Sequence, residues 1–252
     1  MRFIVKENRW LTKDVLLMRL MGDTRSIVRP GQFVQIALPG FYLRRPISVC
    51  DWESGEEGSL TLIYKVVGHG TEAMSLMEEG TELDLLMGLG NGFDIQADEM
   101  QTVENPLLVG GGVGVPPMYG LCKRLVEMGK KPTMVMGFGK ENEIFWKAEF
   151  EALGVRTIVT TIDGSVGVKG FVTDAMKQMP GEYDGVMCCG PEPMLKAVYD
   201  LCQPENIPGW YSFEERMACG FGVCMGCSCQ TKYGSKRICK DGPVLRGEEI
   251  VW

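Results

Sequence analysis

Residues 106–129, PLLVGGGVGVPPMYGLCKRLVEMG, give the clearest indication of the architecture of this chain. A short apolar run leads into a glycine-rich turn, and a helical sequence beginning with Pro116 and Pro117 follows the turn. Proline suits the first turn of a helix, because the N–H that it lacks would have no partner there. The stretch therefore predicts a buried strand, a tight turn and a helix.

Three further units of strand and helix follow this first one. The predicted strands occupy residues 132–138, 156–163 and 183–189, and the predicted helices occupy residues 141–154, 171–179 and 193–202. Strands that alternate with helices form parallel sheets joined by right-handed crossovers. We therefore predict a doubly wound α/β domain over residues 98–205.

The chain before this domain has a different pattern. Short apolar segments separated by turn-forming residues predict strands at 15–20, 29–38, 45–51, 59–67 and 82–93, with one helix at 71–79. Many short strands with frequent turns are typical of an antiparallel barrel or sandwich. Residues 1–97 are therefore expected to form a β domain, and the chain as a whole is expected to be an α+β protein of several domains.

The segment 206–252 has too little apolar sequence for an independent core, and it holds five of the ten cysteines. Four of them stand in C-x4-C-x2-C-x11-C order: Cys219, Cys224, Cys227 and Cys239. This is the spacing of a plant-type 2Fe-2S cluster. Thiolates that converge on one cluster need a loop with sharp bends, which we expect at Gly220, Gly222 and Gly226.

The sequence also allows two alternatives, a zinc site in place of the cluster and Cys229 in place of one ligand. A zinc site made of four cysteines usually has two C-x2-C pairs, and this segment has one, at Cys224 and Cys227. Cys229 could also take the place of Cys227 as a ligand, although an extra cysteine is more often a buried thiol.

Composition excludes several classes of protein. The net charge is -7 and the sequence has no basic block, which argues against nucleic-acid binding. No apolar run approaches the roughly 18 residues of a spanning helix, and the N-terminus lacks the apolar core of a secretory signal, so we expect a soluble, cytoplasmic protein. The single histidine, His69, lies in a Gly-His-Gly turn, which disfavours a Ser-His-Asp hydrolase. In a reducing compartment, ten cysteines favour metal or redox chemistry over disulfides.

Three turns or strand ends could bind a nucleotide or a flavin. The glycine-rich turn after the strand at 106 departs from G-x-G-x-x-G at its last position, so an ordinary tight turn explains it equally well. The Cys-Gly-Pro turn at 189–191 also follows a predicted strand, at the end where open α/β sheets place ligands. LRRPIS, at 43–48, offers arginine to a diphosphate and the Ser48 hydroxyl to a ring nitrogen, but a solvated strand edge has the same composition.

The order of these motifs resembles the ferredoxin-NADP reductase superfamily, and within it the electron-transfer subunits of type B, NAD-dependent dihydroorotate dehydrogenases. The likeness spans nearly the whole chain. It rests on PGQF (30–33), LRRPIS (43–48), IYK (63–65), GT (70–71), LGNGF (89–93), GGGVGVPP (110–117), CGPEPMLKA (189–197), EERMACGFGVCMGC (214–227) and CKDGPV (239–244). The resemblance implies an FAD-binding β-barrel over 1–97, an NAD-binding α/β domain over 98–205 and a 2Fe-2S subdomain over 206–252.

The resemblance also implies which residues bind each cofactor. For FAD they are Arg45, Pro46, Ile47, Ser48, Ile63, Tyr64, Lys65, Gly70 and Thr71. For NAD they are Gly112, Val113, Gly114, Cys189, Gly190 and Pro191, and for the cluster they are Cys219, Cys224, Cys227 and Cys239. NAD is preferred over NADP because Glu141 and Glu143 would repel a 2′-phosphate, although Lys140 acts in the opposite sense. No residue is predicted to be a catalytic acid or base.

The resemblance implies that the chain is an electron-transfer subunit of an enzyme in pyrimidine biosynthesis. An FMN-containing catalytic partner would oxidise dihydroorotate, and electrons would pass through the cluster and FAD to NAD, in a heterotetramer with two copies of each subunit. The cysteine-rich segment would be the docking face. Related subunits of sulfite reductases, hydrogenases and ferredoxin-linked transhydrogenases share this architecture and form the first alternative. A zinc-stabilised nucleotide-binding module without redox activity is the second.

Overall fold

The structure is a computed structural model that describes all residues, 1–252. Its first part contains the strands β1 (Arg2–Trp10), β2 (Val15–Gly22), β3 (Phe33–Ile36), β4 (Arg45–Trp52), β5 (Gly58–Lys65) and β6 (Glu82–Leu89), with the helix α1 (His69–Ser75). The six strands form a closed antiparallel barrel in the order β1-β2-β5-β4-β3-β6. The predicted β domain is therefore confirmed as a barrel. The sequence pattern does not indicate β1, because charged residues interrupt its apolar ones.

Alternation along the strands separates the barrel interior from its outer face. Val34 and Ile36 of β3 are fully buried in the barrel core. Side chains along a strand point alternately to opposite faces, so Phe33 and Gln35 project outward. Phe33 packs in a different core, together with residues of the C-terminal segment. The outer face of β3 is thus covered by the cysteine-rich part of the chain.

The second part of the molecule alternates strands and helices. Its strands are β7 (Pro106–Gly111), β8 (Thr133–Phe138), β9 (Arg156–Thr161), β10 (Val168–Lys169), β11 (Gly185–Cys189) and β12 (Gly209–Ser212). Its helices are α2 (Asp98–Gln101), α3 (Val115–Glu127), α4 (Lys147–Ala152), α5 (Val172–Met176) and α6 (Glu192–Cys202). Strands β7 to β12 are all parallel to one another. The doubly wound α/β domain is confirmed, with α4 shorter than the helix predicted at 141–154.

The C-terminal segment joins the sheet of the α/β domain. Strands β13 (Ser228–Thr231) and β14 (Gly234–Arg237) form a separate hairpin, and β15 (Val244–Arg246) pairs antiparallel with β12. The complete sheet has the order β10-β9-β8-β7-β11-β12-β15. Two strands of the predicted cluster subdomain thus extend the α/β sheet. The domain boundaries at 97 and 205 stay a prediction.

The barrel and the α/β domain pack together through α3 and β4. A Cβ atom at Gly120 of α3 would lie 2.6 Å from the carbonyl oxygen of Cys50, so the helix approaches the strand more closely than any other residue would allow. The guanidinium of Arg124 lies 3.3 Å from the ring centre of Trp52, and Lys123 pairs with Asp51 at 2.9 Å. These contacts hold the two predicted cofactor domains side by side.

None of the helices has both the length and the apolar composition needed to cross a bilayer.

Candidate functional site

The two glycine-rich turns of the α/β domain meet at one edge of the sheet. β7 is followed by a 3-10 turn, Gly112–Gly114, and its neighbour β11 is followed by the Cys189–Pro191 turn. The chain continues from β7 to β8 on one side and later returns to β11 on the other, so this is the point where strand order reverses. Open α/β sheets bind nucleotides at such a point.

Close packing between these turns explains why glycine is needed there. A Cβ at Gly114 would lie 2.1 Å from the carbonyl oxygen of Cys189. Gly112 has φ +53°, and a Cβ at this position would have no atom within 4 Å, so its backbone faces open space. Burial raises the pKa of the Cys189 thiol to about 12, which keeps that thiol neutral. The structure thus brings all the predicted NAD residues together at one edge.

The predicted flavin strands are not paired with each other where the flavin motifs lie. Pairing between β4 and β5 runs from Trp52 opposite Leu60 to Val49 opposite Leu62 and extends no further. The RPIS residues, 45–48, pair only with β3 on their other side. The IYK residues, 63–65, pair only with β2. Backbone groups on the facing edges of the two motifs are therefore not used in a β ladder.

The side chains of the IYK motif already have partners inside the protein. Tyr64 is buried in the barrel core and donates a hydrogen bond to Oδ1 of Asn8 at 3.1 Å. Burial, the largest effect, raises the pKa of Tyr64. Ile63 is buried between the barrel and the α/β domain, and Lys65 pairs with Asp14 at 3.1 Å. A ligand beside this motif would therefore contact its backbone or the exposed Lys65 rather than the buried side chains of Ile63 and Tyr64.

The GT pair supports the arginine of the RPIS motif. A Cβ at Gly70 would lie 2.0 Å from Nε of Arg45, so only glycine leaves room for that guanidinium. The hydroxyl of Thr71 accepts hydrogen bonds from the N–H groups of Val67 and Gly68 at 2.9 and 3.2 Å, and donates to the Gly68 carbonyl at 3.0 Å. Thr71 thereby shapes the turn that places Gly70 under Arg45.

A cleft of about 600 Å³ joins the flavin motif to the nucleotide turns. Its walls come from three parts of the chain: residues 43–46 of the barrel, residues 190–192 and 195 of the α/β domain and residues 213–217 of the C-terminal segment. Arg45 and Pro46 therefore line the same cleft as Gly190 and Pro191. This cleft could hold a flavin and a nicotinamide next to each other.

The four predicted cluster ligands form two pairs of thiols. Sγ of Cys219 accepts hydrogen bonds from the N–H groups of Val223 and Cys224 at 3.3 and 3.4 Å, and the Cys224 thiol contacts it as well. Sγ of Cys227 accepts from the N–H of Cys239 at 3.4 Å, and these two thiols also contact each other. All ten cysteines are free thiols.

The two pairs of thiols differ in their electrostatics. Burial would raise the pKa of the Cys219 thiol, but hydrogen bonds from backbone amides and from Cys224 outweigh it and lower that pKa to about 6. Burial, together with the neighbouring Cys227, raises the pKa of Cys239 to about 12. Thiolates are the form that binds iron, so backbone N–H groups near Cys219 favour ligation.

The arrangement of the thiols in two pairs is compatible with a two-iron cluster. A tetrahedral zinc site gathers four ligands around one ion. Two pairs of thiols fit a cluster in which each iron takes one pair. Cys229 belongs to neither pair and lies half-buried in β13.

The bends of the cysteine loop differ from the prediction at one position. Gly220 and Gly222 have φ of +78° and +86°, as the need for sharp bends suggests. Gly226 does not have a positive φ, and Met225 adopts the left-handed conformation instead, with φ +62°. A Cβ at Gly226 would meet only the Cys224 sulfur, at an ordinary contact distance of 3.6 Å, so nothing in the structure requires glycine at this position.

Two residues outside the predicted cofactor sites contact the C-terminal segment. Asn91 donates hydrogen bonds to the carbonyls of Asp241 and Val244 at 3.1 and 2.9 Å, and its Oδ1 accepts from the Val244 N–H at 3.1 Å. Gln35, on the outer face of β3, lies against Gly220 of the loop. The LGNGF string gives a signal for Asn91, but no local pattern singles out Gln35.

Comparisons with known proteins agree with this arrangement. Residues 214–251 match a family model described as the iron-sulfur cluster binding domain of dihydroorotate dehydrogenase B, and residues 108–200 match an oxidoreductase NAD-binding domain. The "Dihydroorotate dehydrogenase B (NAD(+)), electron transfer subunit" of Fusobacterium nucleatum is 40% identical, over 98% of this chain and 96% of the relative. The protein of the same description from Bacillus pumilus is also 40% identical, with the same coverage of both chains.

A solved structure resembles the whole chain. It is described as an NADH-dependent reduced ferredoxin-NADP oxidoreductase, in a study of flavin-based electron bifurcation. The TM-score is 0.87 at 33% identity, and the match covers 99% of this chain and 89% of the other.

Proposed function

Since the chain belongs to the family of electron transfer subunits of dihydroorotate dehydrogenase B (NAD(+)), we propose that it passes electrons from a dihydroorotate-oxidising partner to NAD. Its cofactors are a 2Fe-2S cluster, FAD and NAD, and its place is in pyrimidine biosynthesis. One observation carries the proposal. The Cys227–Cys239 pair packs with Phe33 on the outer face of β3, and β3 pairs with β4, which carries the RPIS motif. Arg45 and Pro46 of β4 in turn line one cleft with the nucleotide turn at 189–191.

The chain's own residues supply positions for three cofactors. The Cys219–Cys224 and Cys227–Cys239 pairs would hold the cluster, and residues 45–48 and 63–65 would bind FAD along their unpaired backbone edges. The turns at 112–114 and 189–191 would hold NAD. When bound, FAD exchanges single electrons with the cluster and a two-electron hydride with nicotinamide. The chain provides no acid or base for this transfer in our proposal.

The identity of the partner and the location belong to the same proposal. We assign an FMN-containing catalytic subunit as the partner, in a heterotetramer with two copies of each subunit. The name of the homologues, electron transfer subunit, supports a catalytic partner. Ten free cysteines are typical of a reducing compartment, which supports the cytoplasm.

A second function is favoured by one specific observation. The likeness to the ferredoxin-NADP oxidoreductase extends over the whole chain at 33% identity. A subunit that exchanges electrons with ferredoxin would therefore keep the same fold and cofactors. The match of residues 214–251 to the dihydroorotate dehydrogenase B domain makes the dihydroorotate partner the stronger candidate.

Purification of the chain with its bound partner tests both functions. Iron, acid-labile sulfide and flavin are measured first, and dihydroorotate is then added without oxygen to the complex and to the isolated chain. We expect dihydroorotate to bleach the flavin of this chain only in the complex. Flavin that stays oxidised with dihydroorotate but is reduced by reduced ferredoxin would favour the second function. Colourless protein containing zinc would contradict both.

A further inference from the structure

Gln35 stands between the flavin strand and the cluster loop. In the pairing of β3 with β4, Phe33 lies opposite Ser48 and Gln35 lies opposite Pro46. Residues directly opposite each other in a sheet place their side chains on the same face. Gln35 therefore shares the outer face of the barrel with two residues of the RPIS motif, and Phe33 on that face packs in the core that contains the ligand Cys227.

The carboxamide of Gln35 is buried and has no hydrogen-bond partner within the chain. Gln35 is 0% exposed, and neither Nε2 nor Oε1 makes a hydrogen bond. Buried polar groups in folded proteins are almost always paired, because an unpaired one loses its hydrogen bonds to water without replacement. This carboxamide therefore points to a partner other than the protein's own atoms.

Gln32, nearby in the sequence, shows the contrast. It is 4% exposed, and its Oε1 accepts hydrogen bonds from the N–H groups of Val28 and Arg29 at 2.8 and 3.1 Å. Its Nε2 donates to the carbonyls of Gly88 and Gly90 at 3.1 and 3.0 Å. The chain thus satisfies one buried glutamine completely and leaves the other one unpaired beside the cysteine loop.

The direction of the Gln35 side chain is set by its contact with Gly220. A Cβ at Gly220 would lie 2.5 Å from both Cδ and Nε2 of Gln35, so the carboxamide occupies the space where another side chain would be. Gly220 follows the ligand Cys219 directly and has φ +78°. The amide group is therefore aimed into the first turn of the ligand loop.

We propose that Gln35 is a hydrogen-bond donor to the 2Fe-2S cluster, with Nε2 directed at a sulfur on the Cys219 side. This inference rests on the proposed function, since it requires the cluster. Reduction adds negative charge to the cluster, and an N–H donor stabilises the more negative form more strongly. The carboxamide thus raises the reduction potential of the cluster. Gln35 acts from a position between β4, which carries the RPIS motif, and the loop that carries the proposed ligands.

The reduction potential of the cluster in Gln35→Leu, measured by redox titration followed by electron paramagnetic resonance, tests the proposal. We expect the ratio of reduced to oxidised clusters at a given ambient potential to fall about tenfold, which is a midpoint about 59 mV lower for one electron. Gln32→Leu is the matched control. It removes four hydrogen bonds and should lower the melting temperature, but it should leave the midpoint unchanged. An unchanged midpoint in Gln35→Leu with a fully loaded cluster would overturn the proposal.

A measurement on the unaltered chain keeps the test decisive if the variant does not fold. Protein labelled with ¹⁵N in the glutamine side-chain amide is reduced and examined by pulsed electron paramagnetic resonance. We expect a coupling between the cluster spin and an amide ¹⁵N, and its absence would refute the assignment of Gln35. Iron and sulfide analysis of the same sample tests the proposed function separately from the role of Gln35. A chain without iron contradicts the proposed function, whereas an iron-loaded chain without the coupling contradicts only the role of Gln35.

Discussion

At the scale of single residues, the pairing of the thiols makes Cys224 the most direct probe of the cluster. Cys224 is an exposed thiol in contact with Cys219, and its removal would leave one iron with a single protein ligand. We expect Cys224→Ser to lower dihydroorotate-dependent NAD reduction in the complex by more than about tenfold. NADH oxidation by a dye should persist, because it needs only the cleft and its flavin. Both rates are measured on the same preparation, together with its FAD content.

Cys229 provides the matched control for this substitution. It is also a free thiol in the same segment, but it is only half-buried in β13 and belongs to neither pair. Cys229→Ser should therefore retain iron, sulfide and electron delivery. Loss of the cluster in Cys229→Ser, with retention in Cys224→Ser, would mean that the ligand set assigned here is wrong.

Single residues also show where sequence reasoning stops. The cysteine spacing predicts four ligands from local sequence, and this assignment stays a prediction. The direction of the Tyr64 side chain could not be predicted, because a sequence motif does not determine which face of the strand each residue occupies. The contact of Gln35 with Gly220 joins residues far apart in the sequence, and no local pattern encodes it.

At the scale of elements, Asn91 in the loop after β6 forms hydrogen bonds to residues 241–244, which follow the proposed ligand Cys239. Asn91 makes three side-chain hydrogen bonds to residues 241–244, and its N–H donates to the Gly242 carbonyl at 2.6 Å. We expect Asn91→Ala to lower the free energy of unfolding by about 1–3 kcal/mol, because buried backbone groups lose their partners. Chemical denaturation measures this change, and loss of iron over time reports the looser ligand segment.

Asn8 offers a comparison within the barrel. Its Nδ2 donates to the carbonyls of Met74 and Met77 at 2.9 and 3.0 Å, and its Oδ1 accepts from the Tyr64 hydroxyl. Asn8→Ala removes the same number of side-chain hydrogen bonds without touching the C-terminal segment. It should destabilise the chain to a similar extent while iron is retained. Equal iron loss in both variants would show that Asn91 acts only through overall stability.

Elements with strong periodicity could be predicted, and short ones could not. The run of apolar residues in β7 and the two prolines that open α3 fix that unit locally. β12 and β15 have four and three residues, and their place at the sheet edge depends on pairing with distant strands. The helix predicted at 141–154 begins only at Lys147, because Trp146 adopts a left-handed conformation with φ +65° and interrupts it.

At the scale of the whole molecule, the C-terminal segment is held by both of the other parts. β12 and β15 are strands of the α/β sheet, whereas Ile238 and the proposed ligands Cys227 and Cys239 are buried in a core that includes Phe33 of the barrel. Sequence composition shows that this segment lacks a core of its own. Only the structure shows that this segment is stabilised by contacts with both the α/β domain and the barrel.

This shared attachment predicts how the molecule responds to loss of its metal. Metal binding and folding are coupled wherever ligands organise a loop that has little apolar burial. Removal of the cluster by a chelator under oxidising conditions should therefore increase backbone hydrogen exchange across residues 219–239. Protection should persist in β12, β15 and the barrel, because sheet pairing and apolar burial hold them. Hydrogen exchange followed by mass spectrometry measures both regions, with the untreated chain as the control. Loss of protection across the α/β sheet would mean that the cluster supports the entire fold, rather than the loop that its thiols define.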